Sequence, residues 1–596
     1  MKQPLGLLAV IYLWATVTAP ARGASNDTAQ LAEQGVEYLR KYCYECHGLQ
    51  IKKAPLHVLQ RDVLLAQSKR KFTYVIPGKP AESYLWERIE DGTMPPDDVA
   101  NRPTAEENQR FRAWIEAGAP FPEKRQRAFK GEKEILRDIF NHLTDMNPAD
   151  REFQRYFSIT HLYNNPSVRE AELRLHQAAL SKLINSLSWQ PSIVLPIPID
   201  PEKTIYNIDL RKLGWHRTKN RPDLWRQLLK EYPYGLQHDR AVDPQLRRLA
   251  NDVYALTDCY CPHVRADWFI ATASQPPLYH AMLELPDHLA ELEKKLNVDS
   301  HANLEANQLV RAAIMESGVS RHNRLLERHE TAFGSYWKSF DFDTSGGRGN
   351  LLRFPLGPPG KDNNRFQSLA FQHAGGEMIF NLPNGLQGYL LVDENDKRID
   401  RGPIAIVRDF NETGGTPEVV NGLSCISCHK HGMIGGFQDM LREQSGVFGE
   451  ARLKLRELHP EQQEIDRLLA EDTQRFMKAL EKATGSFLKV AEDRDKDLKV
   501  FDDPVGKVAK AYIMENLDLN RAAYELGLDN PQLLENKIKA DPRLKQYGLG
   551  PLLQKDKIKR EVWESVEKNK DLIRGYSLFH LVVLQFNDLG TPYLHN

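Results

Sequence analysis

Apolar positions recur at helical spacing at both ends of the first hundred or so residues. Leu31, Gly35, Tyr38, Leu39 and Tyr42 share one face of a helix running from Thr28 into Cys43. Thr104 with Glu107 three residues on forms a capping box ahead of Phe111, Trp114 and Ile115, and Gly118 stops this second helix. Gly35 has no side chain, so the second helix's aromatic residues can approach closely. Further helices are expected over residues 131–145 and 166–187. Alternation from Thr204 to Leu210 predicts a strand, and helices resume at Pro222 to Lys230, Arg265 to Ala273 and Leu304 to Arg328. Glu377 to Leu382, Asn384-Gly385 and Leu386 to Val392 read as a hairpin with a tight type I′ turn. Beyond Ala451 the pattern is helical again, with Ile465, Leu468, Leu469, Phe476, Met477 and Leu480 on one face. Pro504, Pro531, Pro542 and Pro551 divide the remainder into short helices, and the apolar run Leu578 to Phe586 docks the tail. The fold class expected is mainly α with an α+β middle.

A chain of 596 residues is too long for a single core, which points to three or four units. The expected divisions are a leader at 1–23, an all-α domain at 25–125, a mixed helical and α+β domain at 126–340, an antiparallel sheet at 341–440, and a helical part at 441–596. The leader has Lys2, an apolar run from Leu5 to Ala19, and small residues up to Gly23, as a secretory signal peptide does. The run is too short for a membrane span, and no later segment qualifies as one. The expected location is therefore exported and periplasmic, at most peripheral to a membrane. With 41% hydrophobic and 27% charged residues, and 80 basic against 81 acidic side chains, nothing suggests a nucleic-acid partner.

Cysteine placement changes the picture most. Four of the six cysteines lie in Cys43-Tyr44-Glu45-Cys46-His47 and Cys425-Ile426-Ser427-Cys428-His429. Each C-x-x-C-H string can attach a haem covalently, the thiols adding to its vinyl groups and the histidine ligating iron. A zinc site made from these cysteines is one rival, but its pairs lie far apart in sequence. A thioredoxin-like pair is another, and it leaves the histidine after each second cysteine unexplained. Cys259 and Cys261 are spaced wrongly for haem; a local disulfide, two buried thiols or a metal site are the readings. Asp493 to Asp497 lacks the glycine and distal glutamate of an EF-hand.

Gly35, Cys46-His47-Gly48, the Pro77 to Ser83 stretch and Gly92-Thr93-Met94-Pro95-Pro96 resemble the cytochrome c superfamily, in the variant common in planctomycete-type cytochrome proteins. The resemblance covers about the first hundred mature residues. It implies a glycine-bearing helix before the motif, a ligand loop, a C-terminal helix packing back, and haem attachment outside the cytoplasm. Met94, in a glycine-proline loop, is the candidate sixth ligand opposite His47, with His57 as the competitor. Around the second motif the candidates are His373, Met378, His431, Met433 and Met440. His373 is the weak first choice, against a water or an empty position. Arg265, Trp268, Tyr279 and His280 could line a haem pocket, or form an ordinary aromatic core.

The expected function is an exported dihaem c-type cytochrome that transfers electrons to a partner redox protein. The alternative is a dihaem oxidoreductase, peroxidase- or oxygenase-like, that takes a small oxidant or substrate at the second haem. A redox-sensing binding module is the third reading. No catalytic residue is assigned.

Overall fold

The computed structural model describes residues 22–47, 56, 58–59, 61–67, 72–97, 99, 102–121, 127–359, 364–490, 493–565, 575–586 and 589–593. The leader before Arg22, Gly48 and the competing ligand His57 lie outside them. The chain divides into two compact units, Met1–Gln126 and Arg127–Asn596. No helix among the described residues is long and apolar enough to cross a membrane.

The first unit is helical. Its opening helix, Arg22–Tyr42, packs against Ala105–Glu116. A β-carbon at Gly35 would lie 2.2 Å from Cγ of Trp114, so the bare glycine backbone is what lets the indole seat. One turn on, Tyr38 stacks on Phe111 at 4.2 Å and donates a 2.6 Å hydrogen bond to Asn108. The capping box forms as expected: Thr104 accepts from the Glu107 amide, and the Glu107 carboxylate accepts from the Thr104 amide at 2.8 Å. A short helix, Tyr84–Glu90, adds Leu85, Trp86 and Ile89 to the core formed with Leu39, Leu56 and Leu64.

The second unit holds two larger sheets. One has strands Ile197–Pro198, Ile205–Asp209, Gln154–Ser158 and His263–Arg265 in that order, the last pair parallel. The other is a five-stranded antiparallel meander: Val310–Ile314, Arg324–Thr331, Gly334–Asp341, Gly375–Asn381 and Gln387–Asp393. It draws strands from both sides of residue 341. The Glu170–Ser186 helix packs against Gln462–Leu488 and Pro504–Met514. Ser181 donates a 2.6 Å bond to the Ala483 carbonyl, and Lys182 pairs with Asp503 inside the core.

The helix expected from Leu304 to Arg328 is not formed. Helix Ser300–Glu305 ends early, and the first two strands of the meander follow. Alanines at 312 and 313 and flanking charges imitate a helix with a wet face, yet Arg311 is fully buried and pairs with Glu327 on the neighbouring strand. The expected hairpin is present, but its turn differs. The loop runs from 382 to 386 with Pro383 inside, the Gly385 amide donates to the Leu382 carbonyl at 2.9 Å, and Gly385 rather than Asn384 has positive φ, at 91°. Proline's fixed φ holds the second turn position, which a type I′ turn requires to be positive.

Candidate haem sites

At the first site the opening helix hands its last turn to the motif. The Cys43 amide donates to the Leu39 carbonyl at 3.0 Å, and the His47 amide to the Cys43 carbonyl at 2.8 Å. Both thiols and the imidazole thus project from one short helical stretch. Burial, then the neighbouring Cys46, pushes the Cys43 thiol up to about 12. Burial holds His47 below the usual imidazole range, and its Nδ1 is buried without a hydrogen-bond partner. The Met94 amide donates to the Arg88 carbonyl at 2.8 Å, while the residue is 36% exposed.

The second motif sits in helix Leu423–Cys428. Gly422 opens it at a φ of 84°, and a β-carbon there would lie 2.5 Å from the Ser274 carbonyl and 2.7 Å from the Tyr279 ring. Ser424 donates to Asp409 at 2.8 Å and accepts from the Val420 amide at 3.0 Å, fixing the approach. On the other side Gly506 admits Ser427, whose Oγ lies 2.8 Å from where a β-carbon would stand. Cys425 is buried and Cys428 half-buried. Burial, then Asp409 and Glu377, pushes the Cys428 thiol up to about 12. Burial, then Glu377, raises the Cys425 thiol as well.

The orientation of His429 is fixed. Its Nδ1 lies 3.2 Å from the Gly432 carbonyl, so that nitrogen is the donor and Nε2 is the one turned into the site. The Tyr389 ring stacks beside it at 5.9 Å and 28°. Facing Nε2, at 3.9 Å, is Oε2 of Glu377. Alternation along the paired strands puts Glu377 and Tyr389 on one sheet face, because Glu377 pairs with Leu391 and Tyr389 with Ile379. Glu377 was not among the candidates; its signal was the one charged residue in the strand Gly375–Asn381.

The sequence-derived sixth-ligand candidates go elsewhere. His373 packs edge-on to Phe340 at 5.2 Å, on the opposite sheet face from Glu377. Met378 shares that opposite face. His431 approaches the Phe501 carbonyl at 3.0 Å, Met433 packs on the core, and Met440 is buried with Leu441 and Leu455. Tyr279 lies in the second site's wall, its hydroxyl accepting from the Tyr389 amide at 2.9 Å. His280 meets Asn421 at 2.8 Å, and Arg265 belongs to a separate buried ion network.

Cys259 and Cys261 are free thiols beside a cavity of about 270 Å³ that also receives Glu132, His238 and His263. Among the described residues, no group of three or more His, Cys, Asp or Glu is arranged to hold a metal ion.

The donor sets fit covalent haem: paired thiols on one helical turn, then an imidazole whose Nε2, at the second site, no hydrogen bond claims. No curated protein and no solved structure matches the chain. Residues 43–98, from the first cysteine past Met94, match the family described as planctomycete cytochrome C, which is consistent with a cytochrome c-type domain in the first unit.

Proposed function

We propose that this chain is an exported, periplasmic dihaem c-type cytochrome that passes electrons between its haems and a partner redox protein. One observation supports it above the rest. In both motifs the histidine amide donates to the first cysteine's carbonyl at 2.8 Å, so the second motif repeats the first one's local geometry outside the family match. A haem held at either site supplies a one-electron iron centre. The chain's own contribution is to bind it through Cys43 and Cys46, or Cys425 and Cys428, and to orient His47 or His429 toward iron. At the first site the Met94 loop lies at the edge of the core and offers a thioether, which favours the reduced state.

The test is a potentiometric titration of the full haem-loaded chain. Two one-electron waves are expected, and Met94→Ala should lower one of them by roughly 100 mV, about two decades in the oxidised-to-reduced ratio. A single wave, or a variant that shifts neither, counts against the assignment. The oxidoreductase reading has its own support: a carboxylate, not a second imidazole or thioether, faces His429. A weak ligand there leaves room for a small oxidant or substrate.

A further inference from the structure

We propose that the Glu377 carboxylate is the iron ligand opposite His429, making the second haem a histidine–carboxylate centre. The inference rests on the dihaem reading above.

The separation is the first argument. At 3.9 Å the Glu377 Oε2 and His429 Nε2 are too far apart to hydrogen-bond, since N–H···O bonds fall at about 2.7–3.2 Å. The distance instead matches two metal–ligand bonds of about 2 Å each, laid end to end. His429 Nδ1 is committed to the Gly432 carbonyl, so Nε2 is the ring nitrogen that faces the carboxylate.

Charge is the second argument. The Glu377 side chain is 13% exposed, and no Lys or Arg forms an ion pair with it among the described residues. The nearby Arg324 guanidinium is committed to Asp341, with Nη2 to Oδ2 at 3.0 Å. The Cys425 thiol is a hydrogen-bond partner of this carboxylate, but a thiol carries no positive charge, and a shielded carboxylate with no cation of its own is costly. Iron would provide the missing positive charge.

Rigidity is the third. Glu377 sits on a strand flanked on both sides, and its amide donates to Ser339 Oγ at 2.8 Å. Gly376 lets that strand close up, since a β-carbon there would lie 2.0 Å from the Ser339 carbonyl. A side chain on such an element is held in place rather than swinging in from a loop. His373 and Met378 stand on the other face of this sheet.

The test uses the full haem-loaded chain and Glu377→Gln and Glu377→His variants, read by absorption and electron paramagnetic resonance of the ferric state. The wild type is expected to show one high-spin haem, because carboxylate is a weak-field ligand. Glu377→His should convert that signal to low-spin bis-imidazole. Glu377→Gln should tighten cyanide binding at that haem about tenfold, one decade in dissociation constant, and raise its midpoint potential, with the other haem unmoved. Two haems with unchanged spectra and cyanide affinity in both variants would overturn the ligand assignment and leave the dihaem reading standing. Two low-spin haems in the wild type would overturn it without any variant. A single haem per chain would overturn both.

Discussion

Glu525→Gln is expected to destabilise the second unit by about 3–5 kcal/mol, the cost of breaking a buried ion network from one side. The Glu525 side chain is fully buried, and five donors converge on its carboxylate: Arg265 Nη1 at 3.0 Å, Arg521 Nε at 3.1 Å, Arg560 Nη1 and Nη2 at 2.8 and 2.7 Å, and Trp563 Nε1 at 3.1 Å. An amide offers one acceptor oxygen and turns N–H groups toward guanidinium donors, taking from Arg265 its carboxylate partner and leaving Arg521 and Arg560 to their remaining pairs with Glu515. The loss is comparable to a large part of a typical domain's net stability of about 5–15 kcal/mol. The effect carries a pH signature. Burial alone would push Glu525 up, but Arg560, Arg265 and Arg521 outweigh it and hold the carboxyl at about 2. A carboxyl depressed in the folded state stabilises fully above its unfolded value of about 4.3, and that stability is lost as pH falls through its folded value. Denaturant titrations of wild type and variant should therefore differ most at neutral pH and converge between about pH 4 and pH 2. A difference below about 1 kcal/mol at pH 7 would show that the network holds nothing together.

Gly35→Ala should have the second largest effect, confined to the first unit. The added methyl would sit 2.2 Å from Trp114 Cγ, and the indole cannot move aside easily. Trp114 is fully buried, its ring N–H donates to the Pro120 carbonyl at 2.6 Å, and Phe111 stacks against it at 5.0 Å. Overpacking of this kind costs about 1–3 kcal/mol, and the fixed indole places the cost at the upper end. For a unit this small the melting temperature should fall by more than about 10 °C. Calorimetry of the full chain separates the units: only the first unit's transition should move. An unchanged first transition would mean that the two helices do not cross at Gly35.

Much of this was legible in the sequence where chemistry is local. The capping box at Thr104 and the small residue at Gly35 are read from residues a few positions apart, and each forms the structure its spacing implies; both C-x-x-C-H strings are equally local, and each occupies a helical turn. The misread stretch from Leu304 to Arg328 failed for a tertiary reason. Arg311, Arg324 and Glu327 are buried in the meander by pairing with charges on adjacent strands, a compensation invisible before those strands are aligned. The turn after Leu382 failed because Pro383 overrules the Asn-Gly signal. Around the second motif, ligand candidates were chosen by residue type and sequence proximity. Sheet parity then sends Met378 to the far face, where His373 packs on Phe340 from the segment before the strand, and brings Glu377, some fifty residues upstream of the motif, to His429.

Whether both motifs hold haem is read most directly from the intact mass of the full chain made with covalent haem attachment. Two haems are expected; Cys43→Ala with Cys46→Ala should remove one, and Cys425→Ala with Cys428→Ala the other. A wild-type chain carrying one haem, with Cys425 and Cys428 open to alkylation after unfolding, would contradict the account.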